Sequence, residues 1–124
     1  MNKQILTENA PKAIGPYSQA IQSGSLLFVS GVMPIDPSTN ALVENTIKAQ
    51  AKQIMKNIDG VLKATGYTVD DVVKTTCFLS DINNFAAFNE VYGNYFTSKP
   101  ARSCMAVKDL PKAALVEVEV IANK

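Results

Sequence analysis

The stretch "LVEVEVIA", residues Leu115–Ala122, decides the fold. Side chains alternate across a strand, so Val116, Val118, Val120 and Ala122 share one face, and Leu115, Glu117, Glu119 and Ile121 share the other. A strand with one wholly apolar face and one face bearing carboxylates belongs to a sheet that is covered on one side only.

The covering layer is legible upstream. From Thr46 the hydrophobic period changes to that of a helix: Ile47, Ala51, Ile54, Ile58, Val61 and Leu62 recur at spacings of three and four, with Lys48, Lys52, Lys56 and Lys63 off that face. Asn45 or Thr46 can cap the start, and Gly66 stops the helix. Ser80 or Asp81 caps a second helix near residues 82–97, with Phe85, Phe88, Val91 or Tyr92, and Tyr95 or Phe96 on its apolar face; Pro100 prevents its extension. Asn89 is expected to face away from that stripe.

The remaining segments read as strands. "YSQAIQSGSLLFVSG" gives two, around the turn Ser23-Gly24-Ser25, the second running from Leu26 to Ser30 and closed by Gly31. "MPIDPSTNALV" reads as a loop in which Asn40 tolerates a left-handed backbone. Residues 72–80 and 102–107 read as further strands. The order is strand, strand, helix, strand, helix, strand, strand. One α+β domain over residues 1–124, a sheet with both helices on one face, is the expected architecture. The open face, where apolar, would be buried against another subunit.

Composition excludes several classes of function. The chain of 124 residues has a net charge of +1 and scattered lysines, so it carries no footprint for nucleic acid or an anionic membrane. No apolar run is long enough to span a membrane, and "MNKQILTENAPKAIG" has no secretory h-region. Two cysteines, Cys77 and Cys104, far apart in sequence, read as free thiols of a cytoplasmic protein. There is no histidine, which removes Ser-His-Asp and Cys-His nucleophile systems and His-ligated zinc; no metal site and no cofactor motif is expected. Proton transfer falls to carboxylates, Lys, Tyr, Cys or water.

Candidate chemistry therefore centres on charge. In "KPARSCMAV" (Lys99–Val107), Arg102, Cys104 and Ala106 share a face. The short connection to "LVEVEVIA" suggests that Arg102 and one or both of Glu117 and Glu119 converge at a sheet end or subunit seam. From the residues alone Arg102 is either a structural ion-pair partner or an anion clamp, and the two glutamates either a solvated face or a site. Cys104 reads as a small wall residue, since nothing activates it as a nucleophile. Tyr17 is either a turn residue or a pocket lid.

Taken together, "GPYSQA" (Gly15–Ala20), "FVSG" (Phe28–Gly31), "PIDPSTN" (Pro34–Asn40), "PARSCM" (Pro100–Met105) and "VEVEVIA" (Val116–Ala122) resemble the Rid/YjgF family of enamine and imine deaminases, in family order and over nearly the whole chain. The resemblance implies a ferredoxin-like, chorismate-mutase-like protomer. It also implies a homotrimer whose sheets pack inward as a barrel-like core, with pockets at the subunit interfaces. Arg102 would hold a substrate carboxylate and Glu117 would position the attacking water. The main chain around Gly31 and Cys104 would contact substrate, and Tyr17 and Asn89 would line the pocket, with Glu119 in support. Asn40 stands where the family usually has glycine, and the segment before "PARS" is shorter than usual, which bears on substrate preference.

The implied reaction is cofactor-free hydrolysis of 2-aminoacrylate, 2-iminopropionate or 2-iminobutyrate to a 2-oxo acid and ammonia. Pyridoxal-phosphate-dependent dehydratases supply such species. The alternatives are a non-catalytic trimer that binds 2-oxo acids and an RNA-directed translation inhibitor; the charge balance argues against the latter.

Overall fold

The computed structural model describes residues 1–124. Strands β1 (Lys3–Ile5), β2 (Ala20–Ser23), β3 (Leu26–Val32), β4 (Ile35–Asp36) and β5 (Ala41–Leu42) precede helix α1 (Ile47–Thr65). Then follow β6 (Val72–Leu79), α2 (Phe85–Tyr95), β7 (Ala101–Ala106) and β8 (Val116–Asn123). The main sheet has the order β1-β2-β3-β8-β6-β7. It is mixed: β6 and β7 run parallel, and β8 is antiparallel to both β3 and β6. Strand β8 thus divides the β3–α1–β6 crossover, the split β-α-β arrangement of ferredoxin-like folds. No helix is long and apolar enough to cross a membrane.

The alternation of β8 is realised as expected. Val116, Val118, Val120 and Ala122 are at most 1% exposed and pack with Ile54, Ile58 and Leu62 of α1 in one apolar cluster. Burying each of the valines and larger aliphatic side chains is worth about 1.5–3 kcal/mol. Glu117 is half-buried and Glu119 exposed on the opposite face. Helix α1 starts at Thr46, whose hydroxyl accepts from the Ala49 N–H, and ends at Gly66 in the left-handed region (φ 79°). There the Tyr67 N–H reaches the Leu62 carbonyl and the Gly66 N–H that of Lys63, a Schellman closure.

Several boundaries differ from the sequence reading, each for a physical reason. Strand β3 continues past Ser30 to Val32, because a bulge at Ser30-Gly31 re-phases the strand so that Val32 returns to the buried face. The Ser30 N–H turns away to the Gln19 carbonyl (3.0 Å) and its hydroxyl donates to that of Ser18 (2.5 Å). Residues 34–43 are not simply a loop: β4 and β5 pair across a turn closed by Asp36, with Asn40 left-handed at φ 58°. The α-helical part of α2 begins only at Phe85, since Asp81 caps a 3₁₀ turn over Ile82–Asn84. Strand β1 has no counterpart in the sequence reading; it is too short for alternation to reveal.

Polar residues on buried surfaces tie the layers together. Gln50 of α1 accepts from the Leu115 N–H at 2.8 Å, and Asn57 donates to the carbonyls of Met33 (3.1 Å) and Ile35 (2.8 Å). Gln19, 7% exposed, fastens the N-terminal segment: its amide donates to the carbonyls of Thr7, Ala10 and Pro11, and its oxygen accepts from the Thr7 N–H. Gln19→Leu should strand these groups and cost about 2–3 kcal/mol, read as a lower denaturation midpoint. An unchanged midpoint would mean that water replaces the amide without penalty.

Candidate functional site

The predicted site residues fall into two groups on opposite sides of the sheet. On the open face, Glu117 stands opposite Phe78 and Glu119 opposite Thr76. Glu119 also faces the Ser30-Gly31 bulge across β3. The bulge matters for Glu117. A Cβ built on Gly31 would overlap its carboxylate oxygen Oε2 and lie 2.9 Å from its Cδ, so the acid occupies the space that any other side chain at position 31 would fill. Glu117 forms no ion pair within the chain. Burial, seconded by the nearby Glu119 charge, pushes its carboxyl above the usual carboxylate range. A raised pKa makes the carboxylate a stronger proton acceptor than an ordinary one.

Tyr17 completes this half. It is 53% exposed and lines one cleft with Gly31, Glu117, Glu119, Lys12 and Lys112. Its position depends on Gly15 (φ 138°), whose carbonyl accepts from the Tyr17 N–H at 2.9 Å. A Cβ on Gly15 would lie 3.3 Å from the Tyr17 ring. The rim opposite is strained: Lys112 and Ala113 are consecutive non-glycine residues at φ 58° and 56°.

Arg102 lies elsewhere. Strand β7 pairs with β6, not with β8, in the register Arg102↔Thr75 and Cys104↔Cys77. Thr75 and Cys77 are fully buried beneath the helices, so Arg102 and Cys104 point to the helical side at the sheet edge. The expected convergence of Arg102 with Glu117 therefore does not occur within one chain. Strand β6 stands between their strands, and the side chains leave opposite faces.

Helix α2 orients the guanidinium. Arg102 Nη1 donates to Asn89 Oδ1 at 2.6 Å, and its Cζ lies 4.7 Å from the Tyr92 ring centroid and 5.5 Å from that of Phe85. The Tyr92 hydroxyl is itself held 2.7 Å from that of Thr75. Phe85, Asn89 and Tyr92 are spaced four and three apart on one helix face. Asn89 thus does not face away, as the sequence suggested; it turns to the sheet edge and is half-buried. Arg102 has no carboxylate partner in its own chain. A half-buried guanidinium, aligned but uncompensated, is suited to a planar anion. Burial pushes the Cys104 thiol up although Arg102 draws it down, and the Cys77 thiol is pushed up to about 12, mainly by burial. Neither is poised as a nucleophile. The groups that sequence reasoning missed, Asn57, Gln19 and the Ser30 bulge, act through main-chain geometry; Ser30 alone leaves a signal, a polar residue ending the apolar run Leu26–Val29.

A split β-α-β sheet with two helices on one face, a carboxylate set against a glycine bulge on the other, and an oriented arginine on the edge strand define a class of small α+β protein with a ferredoxin-like sheet. The family described as Endoribonuclease L-PSP matches residues 7–124, and the chain belongs to this Rid/YjgF family. It is 53% identical over 125 residues to a RutC family protein of Pyrococcus horikoshii, covering 100% of this chain and 99% of that one. It is 47% identical to the 2-iminobutanoate/2-iminopropanoate deaminase of Salmonella typhimurium, covering 98% of each. Among solved structures, a Rid family protein of unknown function from Yersinia pestis superimposes with a TM-score of 0.97 at 52% identity, over the full length of both.

Proposed function

We propose that this protein hydrolyses small 2-imino acids, and the enamines in equilibrium with them, to 2-oxo acids and ammonia. We further propose that it does so as a homotrimer in which Arg102 of one subunit faces Glu117 of the next. The observation that carries this reading is the divided site: an oriented, uncompensated Arg102 on an edge strand and a half-buried Glu117 on the open sheet face of the same chain. A substrate with an anionic end and an electrophilic carbon needs both, and two copies packed edge to open face supply them. The apolar part of that face, including Phe28 (42% exposed) and Met105 (38%), is the kind of surface a subunit contact covers. The similarity to a relative named as an imine deaminase supports the reaction class.

The chemistry needs little beyond these groups. Arg102 binds the carboxylate through parallel hydrogen bonds and, held by Asn89 and two aromatic rings, sacrifices little entropy in doing so. Water adds to the carbon of the protonated C=N bond as Glu117 takes a proton from it, giving a carbinolamine. Glu117 returns that proton to nitrogen. The C–N bond then breaks as the hydroxyl oxygen becomes the carbonyl, and ammonia and a proton leave. Cys104 and Tyr17 wall the pocket, and the Gly31 main chain leaves room for the acid.

Imines generated by a dehydratase should release ammonia faster than they do spontaneously when the protein is added. Binding of 2-oxo acids without such acceleration would instead make this a metabolite-binding trimer. The Glu117 environment adds a pH signature. The working base is the carboxylate, so activity should fall as pH drops through its raised pKa, with the acid limb above that of an ordinary carboxylate. Glu119→Gln removes one of the two causes and should move that limb to lower pH; an unmoved limb would assign it to another group.

A further inference from the structure

Cys77 and Cys104 are the chain's two cysteines, far apart in sequence, and the sheet makes them direct neighbours. Strands β6 and β7 run parallel with Cys77 opposite Cys104. Residues in register on adjacent strands project from the same face, so both thiols leave the sheet on its helical side. Burial is the main influence on the proton affinity of both thiols, and each thiol also acts on the other. The imine chemistry above uses neither sulfur. We propose that Cys77 and Cys104 together form a two-coordinate binding site for a soft, singly charged cation, Cu(I) or Ag(I). The site does not depend on the deaminase reading.

Spacing, ligand count and charge favour such an ion. Adjacent strands lie about 4.7–4.9 Å apart. Two metal–thiolate bonds of about 2.3 Å laid end to end span nearly that distance, so a linear S–M–S unit bridges β6 and β7 without moving the backbone. A disulfide needs its Cβ atoms within about 3.5–4.5 Å, so the strands would have to draw together. Thiolates select soft cations, and zinc requires four ligands. Here His, Cys, Asp and Glu form no group of three or more that could hold a metal. Met105 leaves β7 on the opposite face from Cys104, and the Tyr92 hydroxyl is already engaged with Thr75 at 2.7 Å. Cys77 is fully buried, so water supplies no further ligand from below, whereas Cys104 is half-buried at the sheet edge and gives the ion a way in. Binding converts two thiols and M⁺ into an RS–M–SR unit of charge −1 and releases two protons to solvent. Arg102, two residues before Cys104 on the same strand face, has no carboxylate partner to offset its charge. Burial holds both thiols up, and the Arg102 charge draws both down, so the guanidinium favours the anionic complex.

The test is a metal titration of the reduced protein without air. Cu(I) is titrated in competition with a chromogenic Cu(I) chelator, and Ag(I) binding is followed by native mass spectrometry, for wild type, Cys77→Val and Cys104→Ser. Wild type should take up one ion per chain, with two protons lost for each ion bound. Each variant should bind about 100-fold more weakly or worse, because two preplaced ligands exceed one by about 10²- to 10⁴-fold. Zn(II) under the same conditions should not be retained. Wild-type affinity in either variant would show that one thiol suffices and overturns the proposal. So would one ion shared between two chains, retention of Zn(II) as tight as that of Cu(I), or no uptake by wild type. Thermal melting checks that each variant is folded; if Cys77→Val is not, Cys104→Ser, at a half-buried edge position, decides alone.

Discussion

Arg102→Ala is expected to abolish catalysed imine hydrolysis while leaving the fold in place. On the proposed reading the guanidinium grips the substrate carboxylate, and it is held in position by Asn89, Tyr92 and Phe85 and not by a counter-charge within the chain. Removing one partner of a desolvated, hydrogen-bonded charge pair costs about 2–5 kcal/mol, roughly 30- to 5000-fold in kcat/KM. Stability should change little, because no ion pair within the chain is lost. Arg102→Lys should be nearly as damaging, since a point charge does not reproduce two parallel hydrogen bonds or stack on the rings. Wild-type kcat/KM in Arg102→Ala would remove the clamp from the mechanism. The divided site adds a sharper expectation. If each pocket draws Arg102 and Glu117 from different subunits, refolding equal amounts of Arg102→Ala and Glu117→Gln together should restore about a quarter of the wild-type activity, the chance that both donors are intact. No recovery would place both residues in one subunit's site, against the sheet topology.

Gly31→Ala should be comparably damaging, and for a reason distinct from folding. Gly31 does not occupy the left-handed region, so alanine suits its backbone. The added methyl would instead meet the far end of Glu117, and that flexible side chain is what must move. The stability cost should be about 1 kcal/mol or less. Activity should drop about 10²- to 10⁴-fold, the usual contribution of a positioned acid–base group. Glu117→Gln should give a loss of the same size. Combined with Gly31→Ala it should add little, because both changes remove one function. Additive losses would show that Gly31 matters through its own main-chain contact with substrate.

The candidate site was unevenly legible. Local pattern put Glu117 on one strand face by alternation in "VEVEVIA" and Arg102 at the head of a small, apolar strand, but left the role of each open; only the family resemblance assigned them. Gly31 marked the end of a strand in sequence but is the second residue of a bulge, because the extra residue re-phases β3 and the buried position resumes at Val32. Asn89 was misplaced because the apolar stripe of α2 defines the side facing the core, whereas the sheet edge that Asn89 meets lies beside that stripe. Gln19 follows Ser18 and Asn57 follows Lys56, so no local pattern singles them out, and which carbonyls they satisfy depends on segments distant in the chain.

Period and punctuation alone determined that residues 46–66 form a capped amphipathic helix, that β8 buries its valines, and that the product is an α+β sheet covered on one side. The tertiary structure decided that β6 stands between β7 and β8, and therefore that Arg102 and Glu117 leave opposite faces of the sheet. The physical reason is that alternation fixes which residues of one strand share a face, but not the phase of one strand relative to another. That phase is set by register, here Cys77 against Cys104 and against Val118, and register is a property of the assembled sheet.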